Sequence, residues 1–167
     1  MEIDQFEERI KFISKIILSN PQKMIREEDI KNLCGNYELD EMLSGVYNNL
    51  KNVGFELITT NFLEQKYYVL TTEGKDDEIT PSQYGTLALI LALSKEIDED
   101  LNFKDLKEIF SDMWESDVKY LIEKDYLRRM NIEGIDIIKI TPLGKAIMKN
   151  IIPDLQLKNL LKIFKNE

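Results

Sequence analysis

Apolar positions at the start of the chain recur with the period of a helix. Phe6, Ile10, Ile13 and Ile17 stand four, three and four residues apart, which gathers them on one face over Asp4 to Ser19. Asp4 followed by Glu7 has the form of a capping box, and Asn20-Pro21 stops the helix. A short extended piece at Met24-Ile25 leads into a second helix, Arg26 to Cys34. Glu27, Glu28 and Asp29 fall in its first turn, where the positive end of the helix dipole favours them, and Gly35 follows its end. A third helix over Leu39 to Asn52 carries Met42, Leu43, Val46, Tyr47 and Leu50 and ends near Gly54. The pattern then turns to β: Phe55 to Thr59 and Lys66 to Thr71 form a hairpin around a short loop at Asn61 to Gln65.

The same plan recurs without the same residues. After the polar stretch Thr72 to Glu78, Thr80-Pro81-Ser82-Gln83 is a strong helix start, with Thr as cap, Pro at the first helical position and Gln three residues on. That helix runs to Glu96. Leu101-Asn102-Phe103 is a short extended piece, Lys104 to Phe110 a second helix and Glu115 to Lys124 a third. Tyr126 to Asn131 and Asp136 to Ile140 flank Ile132-Glu133-Gly134-Ile135 as a second hairpin. Thr141-Pro142 opens a further helix through Asn150, and a last one after Pro153 carries Leu157, Leu160, Leu161 and Phe164 on one face.

Helix, short extended piece, two helices and a hairpin "wing" is the plan of a winged helix. The pattern therefore predicts a mainly helical α+β chain of two tandem winged-helix domains with C-terminal helices. Their bounds are 1–74 and 81–152, with a linker at 75–80 and a C-terminal helix at 153–167.

Composition narrows the chemistry. The chain has no histidine and one cysteine, which removes the usual zinc sites, Cys/His and Ser/His nucleophile pairs, and proton shuttles near neutral pH. No calcium loop, phosphate loop or dinucleotide fingerprint is present. The expectation is a protein without catalytic residues, metal or cofactor. Cys34 reads as a small buried side chain. No apolar run approaches the length of about 18 residues that a membrane span needs, and the start MEIDQFEERI lacks a signal-peptide pattern, so the expected compartment is the cytoplasm.

Charge bears on the usual task of the fold, which is to put the third helix into a DNA groove with Lys and Arg on the phosphates. Here the first third helix begins with Glu38, Asp40 and Glu41, and the second is approached through Asp112, Glu115 and Asp117. Carboxylates facing phosphates disfavour that mode. The net charge is −9, yet residues 141–167 hold 5 basic and 2 acidic residues. Lys145, Lys149, Lys158, Lys162 and Lys165 are candidates for a weak, non-specific nucleic-acid contact, or simply favour the negative ends of the last two helices.

The helix from Ser82 to Glu96 is apolar on every side, so it must be buried on most faces. Tyr84, Leu87, Leu91 and Trp114, with the stripe Leu157, Leu160, Leu161 and Phe164, are the candidate partner-binding residues; internal packing is the competing reading.

FISKIILSNPQKMIREEDIKNL, VYNNLKNVGFELITT and KYYVLTT resemble the first winged helix of the melanoma-antigen (MAGE) homology domain. GTLALILAL, YLIEKDYLRR and TPLGKA resemble its second. The wider group is the kleisin-interacting tandem winged-helix (KITE) proteins, with segregation-and-condensation protein B a more distant likeness. The resemblance implies a non-enzymatic subunit that binds the kleisin of an SMC complex, as a homodimer or paired with a related subunit, in chromosome organisation, segregation or DNA repair. MAGE proteins carry paired leucines in the first helix for RING ubiquitin ligases; here that place holds Ile13-Ser14-Lys15. The alternative reading is a winged-helix DNA-binding transcriptional regulator.

Overall fold

A computed structural model of the chain describes residues 2–72, 78–97 and 100–149. It falls into two compact units, Met1–Lys75 and Asp76–Glu167, each with its own apolar core.

The first unit runs α1 (Glu2–Ser19), β1 (Met24–Arg26), α2 (Glu27–Cys34), α3 (Leu39–Asn52), β2 (Phe55–Phe62) and β3 (Gln65–Thr72). Ile10, Ile13 and Ile17 of α1 meet Met42, Val46 and Leu50 of α3 and Ile30 of α2 in the core. Gly45 permits the close approach of α1, because a Cβ there would stand 2.3 Å from Ile10 Cδ1. The helix begins at Glu2, so Asp4 and Glu7 lie inside its first turns and form no capping box at the predicted place. The hairpin is longer than its sequence pattern. Leu63 and Glu64 adopt positive φ angles of 49° and 62°, and this two-residue turn lets the strands pair from Phe55↔Thr72 to Phe62↔Gln65. Neither residue is a glycine or asparagine, so the turn carried no sequence signal. β1 completes an antiparallel sheet of order β1-β3-β2.

Arg26, the last residue of β1, caps α2 with extended backbone. Glu27, the first residue of α2, accepts a hydrogen bond from Tyr68 Oη at 2.7 Å and an ion pair from Lys66 at 2.9 Å, which ties the start of α2 to β3. The Tyr68 bond, then Lys66, hold the Glu27 carboxyl below the usual range; burial first, then Glu27, pushes the Tyr68 phenol up to about 12. Cys34 is buried, donates to the Ile30 carbonyl and has its thiol pushed up by burial.

The second unit repeats the order: α4 (Pro81–Glu96), β4 (Leu101–Asn102), α5 (Phe103–Ile109), a broken third helix, β5 (Leu127–Ile132), β6 (Ile135–Ile140) and α7 (Pro142–Lys149). Its sheet has the matching order β4-β6-β5. The two units are thus winged helices by element order and by sheet order. Where the sequence predicts one helix over Glu115 to Lys124, the chain makes a 3₁₀ turn at Ser111–Met113, a π turn at Trp114–Val118 and only then α6 at Lys119–Glu123. The helix predicted after Pro153 lies outside the described residues.

The start of α7 explains its Thr-Pro-Leu-Gly motif. Thr141, fully buried, bonds through its hydroxyl to the carbonyls of Asp125 and Tyr126 and accepts from the Gly144 amide. A Cβ at Gly144 would stand 2.3 Å from the Tyr126 carbonyl oxygen, so this turn of α7 lies directly on the backbone.

Three outcomes are expected. Gly144→Ala destabilises the second unit by about 1–3 kcal/mol, since backbone must shift to admit the methyl. Gly85→Ala, in α4 with open space around its missing Cβ, stabilises it by up to ~1 kcal/mol. Trp114, the chain's single tryptophan, reports both through its fluorescence in a urea titration. In the first unit Glu27 stabilises the fold above the ordinary carboxylate value of 4.5, and that contribution is lost as pH falls through its depressed folded value. Glu27→Gln is therefore less stable than wild type at neutral pH, and the gap narrows as pH falls below the ordinary carboxylate value; an unchanged gap in circular-dichroism melts would contradict this.

Candidate protein-interaction surfaces

α4 shows how an all-round apolar helix is satisfied. Thr80 accepts from the Gln83 amide at 3.2 Å and Gln83 Oε1 accepts from the Thr80 amide at 3.0 Å, so the capping box read from the sequence is formed. Beyond it Leu87, Ile90 and Ala92 are fully buried, with Leu91 nearly so, while Tyr84, Leu89 and Leu93 are half-buried against the same cluster. The helix packs on the π turn and on α7 of its own unit.

This placement puts three of the candidate partner-binding residues inside the fold. Leu87, Leu91 and Trp114 belong to the core of the second unit, and a partner meets none of them as an open patch; Tyr84 sits at its margin. Trp114 is 8% exposed because Phe103 packs edge-on against it, ring centroids 5.3 Å apart. The outer side of that pair is cationic. The Arg129 guanidinium lies 3.9 Å from the Phe103 ring centre and the Lys107 ammonium 5.8 Å from that of Trp114. Arg129 also bonds Asp136 at 2.6 Å, which with Asn131 holds that carboxyl below the usual range. Sequence reading found Trp114 but missed Phe103 and Arg129, because residues 26 apart meet only once the hairpin folds beside α5.

Asp117 is a correction to the sequence reading. The sequence groups it with Asp112 and Glu115 as a carboxylate facing phosphate, but it is 3% exposed. The π turn rotates it inward, where its Oδ2 accepts from Ser82 Oγ at 2.7 Å and Thr86 Oγ1 at 2.8 Å, both on α4. Gln83 adds a bond from its side-chain amide to the Ser116 carbonyl at 3.3 Å. Asp112 and Glu115 are exposed, as are Asp40 and Glu41 at the start of α3, so both third helices still begin with solvent-facing carboxylates.

Exposed apolar side chains are scattered. They include Phe12 on α1, Ile109 at the end of α5 and the cross-strand pair Ile132↔Ile135 at the second wing tip. Of the candidate lysines, Lys145 is half-buried on α7 and Lys149 is the last residue of that helix. Leu157, Lys158, Leu160, Leu161, Lys162, Phe164 and Lys165 lie outside the described residues. Among the described residues no cluster of acidic residues and cysteine is placed to hold a metal ion, and no helix is long and apolar enough to cross a membrane.

No protein-family model matches the chain, and no curated protein matches it. Among solved structures it is similar to a chain of the Nse1-Nse3-Nse4 complex, with a TM-score of 0.53 at 16% identity over 89% of each chain. A likeness at that identity speaks for the fold, and it extends through both winged-helix units.

The buried Asp117 cluster yields a direct test. Asp117→Ala leaves the buried Thr86 hydroxyl with only the weak thioether acceptor of Met113 at 3.7 Å and should cost about 1–3 kcal/mol. Thr86→Val in the same background should recover part of it, because no buried hydroxyl then remains. Urea midpoints followed by Trp114 fluorescence decide; equal midpoints for wild type and Asp117→Ala would refute the clamp.

Proposed function

We propose that the chain is a non-catalytic accessory subunit of an SMC–kleisin complex, one that binds a kleisin segment and pairs with itself or with a related subunit. The observation that carries this reading is the likeness to a chain of the Nse1-Nse3-Nse4 complex across 89% of both chains, in a fold whose two units repeat one plan. A short shared motif would support only a shared module. Two winged helices in tandem, 1–74 and 81–152 joined at 75–80, are the feature this role shares with the resemblance read from the sequence.

Charge supports a protein partner over a DNA groove. Exposed Asp40, Glu41, Asp112 and Glu115 stand where a groove-reading winged helix needs cations, and each would repel phosphate where a cation would release its counterions. Nucleic-acid contact, where it occurs, is weak and sequence-independent, carried by Lys145, Lys149 and the lysines at 158, 162 and 165. The absence of histidine leaves no ordinary general base near neutral pH, which fits a binding role. The setting proposed is the cytoplasm, in association with chromosomes.

The experiment is co-expression with the kleisin of the same organism, followed by size-exclusion chromatography of the purified mixture at micromolar concentration. Co-elution is expected; separate elution overturns the reading. A salt series on duplex DNA accompanies it. Weak binding that disappears between about 50 and 200 mM salt is expected, whereas tight sequence-specific binding at physiological salt would favour a transcriptional regulator.

A further inference from the structure

The described chain holds four arginines, and three of them are locked to aspartates. Arg26 grips Asp29 through two bonds of 2.9 and 3.1 Å, Arg128 grips Asp125 through two of 3.0 and 2.7 Å, and Arg129 holds Asp136 at 2.6 Å. Arg9 is the exception: among the described residues it makes no ion pair, in a chain with 31 acidic residues to choose from. Its donors are thus not spent on a carboxylate of the described residues.

Its position gives that freedom a shape. Arg9 lines an open groove of about 780 Å³ between α1, which contributes Glu8, Arg9 and Phe12, and the turn that leads from α2 to α3, which contributes Gly35, Asn36 and Tyr37. The guanidinium lies over Gly35, with Nη2 3.9 Å from the place a Cβ would take, so bare backbone forms one wall. Tyr37 is fixed on the other side by an edge-on contact with Phe6, centroids 5.1 Å apart. Phe12 leaves 47% of its surface in solvent, and the Glu8 charge is already engaged by Lys11 at 3.1 Å.

We infer that this groove is a docking site for an acidic segment of a partner protein, which sets a carboxylate on Arg9 and an apolar side chain on Phe12. One guanidinium beside one exposed ring fits a single carboxylate with an apolar neighbour, and Arg forms its strongest bonds with such planar acids. A polyanion such as nucleic acid fits poorly, because Arg9 is the one cationic side chain among the described residues that line the groove and leaves further phosphates without a partner. The site is independent of the kleisin reading and stands or falls separately from it.

The test is selection of a displayed library of random dodecapeptides on the full-length chain, followed by fluorescence polarisation of the selected peptides. Selected sequences should combine Asp or Glu with Leu, Ile or Phe. Arg9→Glu should weaken them at least tenfold, roughly the loss of a charge-assisted bond, and Phe12→Ser should also weaken them, with circular dichroism unchanged in both variants. Replacing the peptides' acids by amides should reproduce the Arg9→Glu effect. Failure to select any peptide, selection of basic or neutral sequences, binding that ignores Arg9→Glu, or displacement by a single-stranded oligonucleotide would each overturn the proposal.

Discussion

A carboxylate enclosed by protein has to find donors, and in the second unit that requirement organises everything around it. Asp117 meets it with two hydroxyls of α4, and both belong to the first two turns of the helix. To bring Asp117 inward the chain gives up regular α-helix for a π turn, and the same turn delivers Trp114 to the core and the Ser116 carbonyl to Gln83. The apolar faces of α4 can then close on α7 and the sheet with the polar start of the helix already satisfied. Among the described residues no buried side-chain nitrogen or oxygen lacks a partner, which is the condition a polar cluster beside a core must meet.

What was legible in the sequence was what depends on near neighbours. The capping box at Thr80 to Gln83, the start of α7 at Thr141-Pro142 and the bounds of α3 follow from contacts within one turn, and each appears as read. Hydrophobic period placed the core of the first unit, since Ile10, Ile13, Ile17, Met42 and Val46 fall on the faces their spacing assigns. What was not legible depends on distant partners. Asp117 looks like any surface acid until residues 35 positions earlier close over it, and a Leu63-Glu64 turn has no composition to announce it.

The candidate site was legible only in outline. Trp114 and the helix from Ser82 to Glu96 stand out in the sequence as more apolar than a surface needs, and the second unit packs them against its own core. The exposed features that remain include Phe12, beside an Arg9 that makes no ion pair among the described residues, and Ile109, each a single residue within a charged segment. Neither raises a periodic signal, because a binding residue is defined by what it leaves unsatisfied, and only the folded chain shows which groups those are.

Both sheets share a further property. The strand from early in each unit pairs with the last strand of its hairpin, Met24 with Val69 and Leu101 with Ile138. Each sheet is thereby fastened across about 45 and 37 residues of chain. On a ribosome adding some 5–20 residues each second, the helices of the first unit must wait seconds for the strand that secures them. Until that strand emerges, Tyr68 and Leu70, which belong to the first core, are not there to complete it. A chain that stalls before Val69 presents a chaperone or protease with an unfinished core.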